Sequence, residues 1–447
     1  MSIRASAGAA LAAAASVLVW GASAQAADLG GDCCADLEER IAELEATTAR
    51  KGNRKVSLTI SGWVNEAVFA WDDGVESNVY VGTNSLEQDR VKFAGKAKIS
   101  DTWSAGYTLE IGVNGAPSSL FSQDNSGSAA VGSTSPNSLV VRKASWFIDS
   151  KDLGKITVGQ DGTATYHLLD DADGVNTRNY ADAEAAAVAM SQFLLRVNGD
   201  IQNVQWAHIL GGFNNNTPGQ SGRRNVVRYD SPTIAGFVFT AAWGEDDMWD
   251  TALTYKGEFG DFAVLAKVGY GESSTPANSG SCTSEPGSPA PGSRDCNWWG
   301  AAATIQHTPT GLYVYGGYGE QTDENASLVA GHADAEEDNT TWFVQAGIER
   351  KFFSLGKTTI FGEYRKDEGG TPEATRRLTN AAVGTGGDIR SSDIDFYAAG
   401  IVQNIDAAAM DLYVIYRHAE GDVTTFNGDK TGVDDFDVVI SGARIQF

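Results

Sequence analysis

The chain lacks the long apolar runs that helical membrane proteins require. Beyond its first twenty residues, no segment approaches the ~18 consecutive apolar residues of a spanning helix. The mature protein is therefore either soluble or spans a membrane as strands. Histidine is scarce as well. His167, His208, His307, His332 and His418 share no metal-ligand spacing with one another or with cysteine. Nucleophile elbows of the Gly-x-Ser-x-Gly type, His-Glu-x-x-His pairs and phosphate-binding glycine loops are all absent. The expectation is no catalytic centre, no metal and no cofactor. Cations are outnumbered, 33 against 58 carboxylates, and the net charge of -25 argues against nucleic acid or anionic membrane surfaces as partners.

Cysteine is limited to four residues in two pairs. Cys33 and Cys34 are adjacent and either cross-link subunits or remain free. Cys282 and Cys296 bracket a Ser/Pro/Gly-rich stretch, and in an oxidising compartment they read as a loop staple. By the chain-entropy argument such a closure is worth about 3 kcal/mol. The oxidising compartment follows from the first residues. Arg4 precedes a small and apolar run from Ala5 to Trp20, and Ala24-Gln25-Ala26 presents the small residues a signal peptidase reads. Residues 1–26 are expected to be a secretory signal peptide. Residues 27–52 then carry a short acidic helix, with Leu37, Ile41 and Leu44 at coiled-coil spacing. It reads as a solvated linker or as a small self-associating stalk.

What the chain has in quantity is glycine (51 residues), aromatics and period-two alternation. Val56, Leu58, Ile60, Gly62 and Val64 alternate with Ser57, Thr59, Ser61, Trp63 and Asn65. Val91, Phe93, Gly95, Ala97 and Ile99 alternate with Arg90, Lys92, Ala94, Lys96 and Lys98. Phe262, Val264, Ala266, Val268 and Tyr270 alternate with Ala263, Leu265, Lys267 and Gly269. Such segments, bounded by turn residues, read as strands near 56–70, 86–99, 103–113, 138–149, 154–161, 223–231, 236–244, 249–258, 262–271, 297–307, 311–320, 340–351, 357–366, 392–404, 407–418 and 434–447. Composition alone fits a secreted acidic β-sandwich or β-helix almost as well. The even strand number and the alternation of short turns with long polar loops favour a closed antiparallel barrel.

The last strand runs to Phe447, as a barrel-closing strand must when no edge is left in lipid. One connection, residues 161–222, is far longer than ordinary loops. It carries Tyr166, Tyr180, Phe193, Leu194, Leu195 and Trp206, so it can pack. A loop folded into the lumen accounts for both features. If apolar faces meet lipid, Arg90, Lys92, Lys96, Lys98, Arg142, Arg224 and Arg228 line the pore as a basic wall. Lys143 falls on the outward face in this register, at an interface or at the membrane edge, unless the register slips there. The long loop carries Asp161, Asp170, Asp171, Asp173, Asp182 and Glu184. Opposed acidic and basic walls in a narrow aqueous passage would favour charged and dipolar solutes.

The stretches Lys55-Val56-Ser57-Leu58-Thr59-Ile60-Ser61-Gly62, Leu153 to Gln160, and Asn225-Val226-Val227-Arg228-Tyr229-Asp230-Ser231-Pro232 followed by Gly236-Phe237, together with Phe447, carry a resemblance. From about residue 53 to its end the chain resembles the general porins of Gram-negative outer membranes, most closely the alphaproteobacterial porin family. The resemblance implies an all-β, closed 16-stranded antiparallel transmembrane barrel over 53–447, with the long third loop folded inward and a short helix before it. It implies a homotrimer in outer-membrane lipid and an assembly signal at Phe447 read by the outer-membrane assembly machinery. It also implies a constriction of Asp170, Asp171, Asp173, Asp182 and Glu184 against Arg90, Lys92, Arg142, Arg224 and Arg228. The function so read is passive diffusion of small hydrophilic solutes and ions. The rivals are a structural or adhesive surface protein tethered through its N-terminal helix, and a barrel-embedded hydrolase.

Overall fold

The computed structural model describes residues 55–127, 138–178, 190–210, 217–244, 247–274, 296–324, 334–370, 378 and 388–447. The signal peptide, the acidic helix, Cys33, Cys34, Asp182, Glu184 and Cys282 lie outside them. Sixteen strands form the wall: β1 (Thr59–Asp72), β2 (Arg90–Lys98), β3 (Trp103–Asn114), β4 (Ser138–Ser150), β5 (Gly154–Gly162), β6 (Arg223–Asp230), β7 (Phe237–Gly244) and β8 (Trp249–Phe259). There follow β9 (Phe262–Ser273), β10 (Cys296–His307), β11 (Leu312–Asp323), β12 (Asp338–Phe353), β13 (Gly356–Gly370), β14 (Ile389–Ile405), β15 (Met410–Thr425) and β16 (Lys430–Gln446). Each pairs antiparallel with its neighbours, and the ring closes where β16 meets β1, from Trp63 opposite Gln446 to Asp72 opposite Asp437. Phe447 extends this seam by exchanging backbone bonds with Gly62 at 2.9 and 3.0 Å. Gly62 is needed there, since a Cβ would run into the Arg90 carbonyl and the Phe447 ring.

The strand expected at 86–99 is shorter and has a companion that alternation did not reveal. Residues Ser85–Glu87 form a 3-10 turn, whose preceding residue Asn84 accepts a bond from the Leu86 amide at 3.1 Å. Before it, Ser77–Thr83 folds back as an additional strand against the upper half of β1. The lower half of β1, Thr59 to Trp63, pairs with β2 instead. Among the described residues no helix is long and apolar enough to cross a membrane.

The outer face reads as lipid contact. Leu253, Val268, Ile305, Val314, Val344 and Ile360 are exposed along this face. Above them runs an aromatic belt in which Tyr270 faces Trp299, Tyr318 faces Trp342 and Tyr364 faces Tyr397 across neighbouring strands. Rings with one apolar and one polar end suit the headgroup level. Several tyrosines donate to a carboxylate just beyond the belt, Tyr318 to Glu320 at 2.6 Å and Tyr416 to Asp437 at 2.6 Å.

The inner face is not uniformly wet. Phe69, Trp71, Tyr315, Phe343, Phe361, Phe396, Tyr413 and Phe436 point inward and are buried in one core. The loop contributes Leu169, Phe193, Leu195, Val204, Trp206 and Leu210 to the same core. Trp71 meets Phe193 edge-on at 4.9 Å, Phe193 lies 4.8 Å from Phe436, and Trp206 lies 6.2 Å from Phe436. Burial of a ring the size of Trp206 is worth about 4–6 kcal/mol by area. The loop is thus a packed element that fills one side of the lumen.

Candidate functional site

Polar contacts fix the loop against β10 to β16. Tyr315 donates to the Leu169 carbonyl at 2.7 Å, and Thr304 donates to the Ala172 carbonyl at 2.6 Å. Asp434 accepts from the Asn198 and Gly199 amides at 3.1 and 2.6 Å. The first residues of the loop are held by Asp250 of β8, fully buried, which accepts from the Ala164 amide, the Thr165 amide and the Thr165 hydroxyl at 2.6–2.9 Å. With that side of the barrel filled, a cavity of about 340 Å³ remains between the inner face of the loop and β2 to β9.

Wall residues of the cavity are Arg90 (β2), Glu110 (β3), Lys143 (β4), Arg228 and Asp230 (β6), and Lys267 (β9); the loop adds Tyr166, His167, Asp171 and Arg178, and Glu87 completes the charged set. Arg90 and Arg142 are 9% and 8% exposed and flank a single carboxylate, Glu110, at 3.3 and 2.9 Å. Arg90 also reaches Glu87 at 2.8 Å. Two guanidinium groups thus meet two carboxylates, and removing Glu110, the one they share, would cost several kcal/mol.

Lys143 belongs to the same wall, because the register does slip. Glu110 pairs with Lys143 while the next residue, Ile111, pairs with Val141, so Arg142 is an extra residue in β4. This β-bulge turns both Arg142 and Lys143 inward and returns Trp146 and Ile148 to the lipid face. Lys143 then bridges Asp161 at 2.8 Å. A bulge has no marker in the amino-acid sequence, so alternation placed Lys143 outside.

The other expected basic residues are spread out. Lys96 and Lys98 sit near the short turn after β2, exposed, and bridge Asp149 and Asp101. Lys92 lies opposite Glu110 on the ladder but outside the cavity lining. Arg224 lies opposite Asp161 on the ladder. Arg228 donates to Asp230 at 3.1 Å and to the Gly162 carbonyl at 3.0 Å.

The loop acids divide in the same way. Asp171 reaches the cavity and bridges Lys267 at 3.2 Å and Arg178 at 3.3 Å. Asp170 is 1% exposed and is held by His167 at 2.6 Å and Arg178 at 3.1 Å. Asp173 shapes the next turn, accepting from the Val175, Thr177 and Arg178 amides and the Thr177 hydroxyl. Burial pushes its carboxyl up to about 6 despite those donors. Cys296 is buried and disulfide-bonded, with Cys282 outside the described residues.

Two cations at the cavity escaped the sequence reading: Arg178 comes from the loop itself, and Lys267 from β9, where alternation already placed it away from the lipid-type residues. His167, a loop histidine with no partner visible in the sequence, joins them. His167 holds a left-handed backbone, φ 52°, which histidine tolerates better than most residues. Burial alone would lower its pKa, but Asp170 and the Tyr166 oxygen outweigh that, and the imidazolium persists well above the usual histidine range. Burial would likewise raise Tyr166; His167, Arg223, Arg142 and Lys143 around it bring its pKa down instead. Arg223 donates to the Tyr166 oxygen at 2.6 Å.

A pH dependence follows. Because the folded pKa of His167 is raised, its contribution to loop stability is complete below the unfolded value of about 6.5 and is lost as pH climbs through the higher folded value. The positive charge that His167 brings to the cavity is expected to stay constant from pH 5 to 7 and to be lost in the alkaline range. His167→Gln should abolish that alkaline step in reversal-potential measurements, and a step that persists in the variant would assign it to another group.

Among solved structures, several barrels are similar to this chain. An anion-selective porin from Comamonas acidovorans superposes with TM-score 0.54 at 14% identity, covering 88% of this chain and 100% of that one. The loop L8 deletion mutant of OmpT, an outer membrane protein of Vibrio cholerae, gives TM-score 0.51 at 12% identity, covering 88% and 100%. Salmonella typhi OmpF gives 0.50 at 15%, covering 89% and 99%. At these identities the likeness shows the fold. None of the curated protein sequences matches the chain. The sequence model of the Gram-negative porins matches residues 7–438, nearly the whole chain, and the chain belongs to that family.

Proposed function

We propose that this outer-membrane porin is a passive diffusion channel for small hydrophilic solutes, with a preference for anions set at the loop-bounded passage. The observation that carries this reading is the charge of the lining. Arg90, Lys143, Arg178, Arg228 and Lys267 face Glu87, Glu110, Asp171 and Asp230, and the charged His167 adds to the cationic side. A passage with surplus positive charge stands out in a chain of net charge -25. Acidic residues farther than a Debye length of about 8–10 Å from the ion path count for little there. Field lines from a narrow low-dielectric wall act on whatever passes.

No reaction is assigned to the site. Its one histidine already bonds Asp170, and its carboxylates are held by arginine or lysine. Sieving and electrostatic selection describe what such a lining does. Assembly as a homotrimer and recognition of Phe447 by the assembly machinery belong to the same reading, as does export through residues 1–26. Purified protein in a planar bilayer is expected to give discrete conductance steps and a reversal potential of anionic sign in a potassium chloride gradient. Absence of steps would sink the channel and leave the adhesive alternative standing. A cationic sign would sink the selectivity alone.

A further inference from the structure

A second cluster of chemically competent side chains lies on the opposite surface of the wall. On β15, Ile415, Arg417 and Ala419 are buried inward, so Tyr416, His418 and Glu420 point outward. On β16 the register shifts. Ala419 pairs with Phe436, but Gly421 pairs with Val433, leaving Asp434 and Asp435 together opposite Glu420. This bulge separates two consecutive aspartates. Asp434 turns inward to the loop amides of Asn198 and Gly199. Asp435 is exposed on the outer side, beside His418 and Glu420.

We infer that His418, Glu420 and Asp435 form a binding site for one divalent transition-metal ion, zinc being the best match to the donors. One ligand atom from each lies within 4.8 Å of the others. Donors on a common tetrahedral ion with bonds of about 2.1 Å stand about 3.4 Å apart, so modest side-chain movement closes the set. His418 Nε2 is already 3.7 Å from Glu420.

The histidine is oriented for this role by a residue outside the set. Asp437 lies 2.9 Å from His418 Nδ1 and also accepts from the Tyr416 hydroxyl at 2.6 Å. An ionised carboxylate can only accept, so Nδ1 carries a proton towards Asp437, and a metal ion would displace any proton on Nε2, the nitrogen that faces the two acids. A carboxylate behind a histidine is the usual support of a metal-bound imidazole. A mixed nitrogen and oxygen donor set also separates this cluster from the acidic residues around the rim. Oxygen-only groups suit calcium or magnesium, whereas imidazole favours zinc, copper or nickel. Three protein donors leave a tetrahedral ion one open position at the edge of the aromatic belt.

Untagged protein, purified in detergent and stripped with chelator, is the material for the test. Zinc titration against a chromophoric chelator is expected to show one ion bound per chain. His418→Ala should weaken binding at least tenfold, and Asp437→Asn, a positioning change, about tenfold. Asp422→Asn, on the same strand but outside the set, should leave the affinity unchanged. The double variant Glu420→Gln with Asp435→Asn gives a second reading should the histidine variant fail to fold. Absence of stoichiometric zinc, or wild-type affinity in either ligand variant with its barrel circular dichroism intact, would overturn the site.

Discussion

Replacing Lys143 and Lys267 with glutamate is expected to reverse the sign of the ion selectivity. The two side chains line the passage from separate strands of its wall, β4 and β9. Reversing both changes the local charge by four units and leaves three cations against six carboxylates, apart from His167. A unit charge about 5 Å from a permeating ion is worth roughly 0.8 kcal/mol even in a water-like dielectric. Screening over about 8–10 Å reduces the effect, yet the anion-to-cation permeability ratio should still fall by at least about tenfold. The Lys143→Gln, Lys267→Gln pair should fall midway, which separates charge from loss of the Asp161 and Asp171 bridges. A reversal potential unchanged in the glutamate pair would remove this cavity from the ion path.

The second large effect concerns the loop. Trp206→Ala should detach it from the lumen wall and widen the pore. Trp206 is 1% exposed and belongs to the core shared by the loop and β10 to β16. Truncation of a buried tryptophan costs about 3–5 kcal/mol. The loss falls on loop docking rather than on the barrel, whose ladder bonds are untouched. Single-channel conductance should rise and become noisy, while the heat resistance of the barrel stays close to wild type. Wild-type conductance together with a lowered barrel stability would show instead that the loop and barrel unfold as one unit.

Strand number and order were legible in the sequence because a lipid face imposes strict alternation, and Leu253 or Val314 on that face has no other use. The inward fold of the long loop was legible from its aromatics, since Phe193 and Trp206 need a core. What alternation hides is of three kinds. Bulges shift parity by one residue without any compositional sign, which displaced Lys143 and concealed the outward turn of Asp435. Strands apolar on both faces, such as β16 with Phe436, Val438 and Ile440 inward, look like ordinary strands until the loop covers them. Local pairing is hidden too. Glu110 was visible on the polar face of β3, but its position between Arg90 and Arg142 depends on three strands at once. For the same reason the loop's acids did not act as one wall: Asp171 reaches the passage, while Asp170 and Asp173 are used to hold the loop's own shape.

The loop's docking surface has a consequence for the order of assembly. Residues 163–222 precede in the chain most of the wall they rest on, and the Gly199 amide meets Asp434 across 235 positions. Contacts of such separation form only after the intervening chain has found its place. The narrowing of the pore is therefore the closing event of maturation. Until β16 has zipped onto β1, Phe193 and Trp206 lack Phe436 as a partner, and the nascent barrel is stickier than the finished one. A chain stalled before its last strand would be recognisable to proteases and holding chaperones by this loop, so the element that tunes permeation also reports whether the barrel has closed.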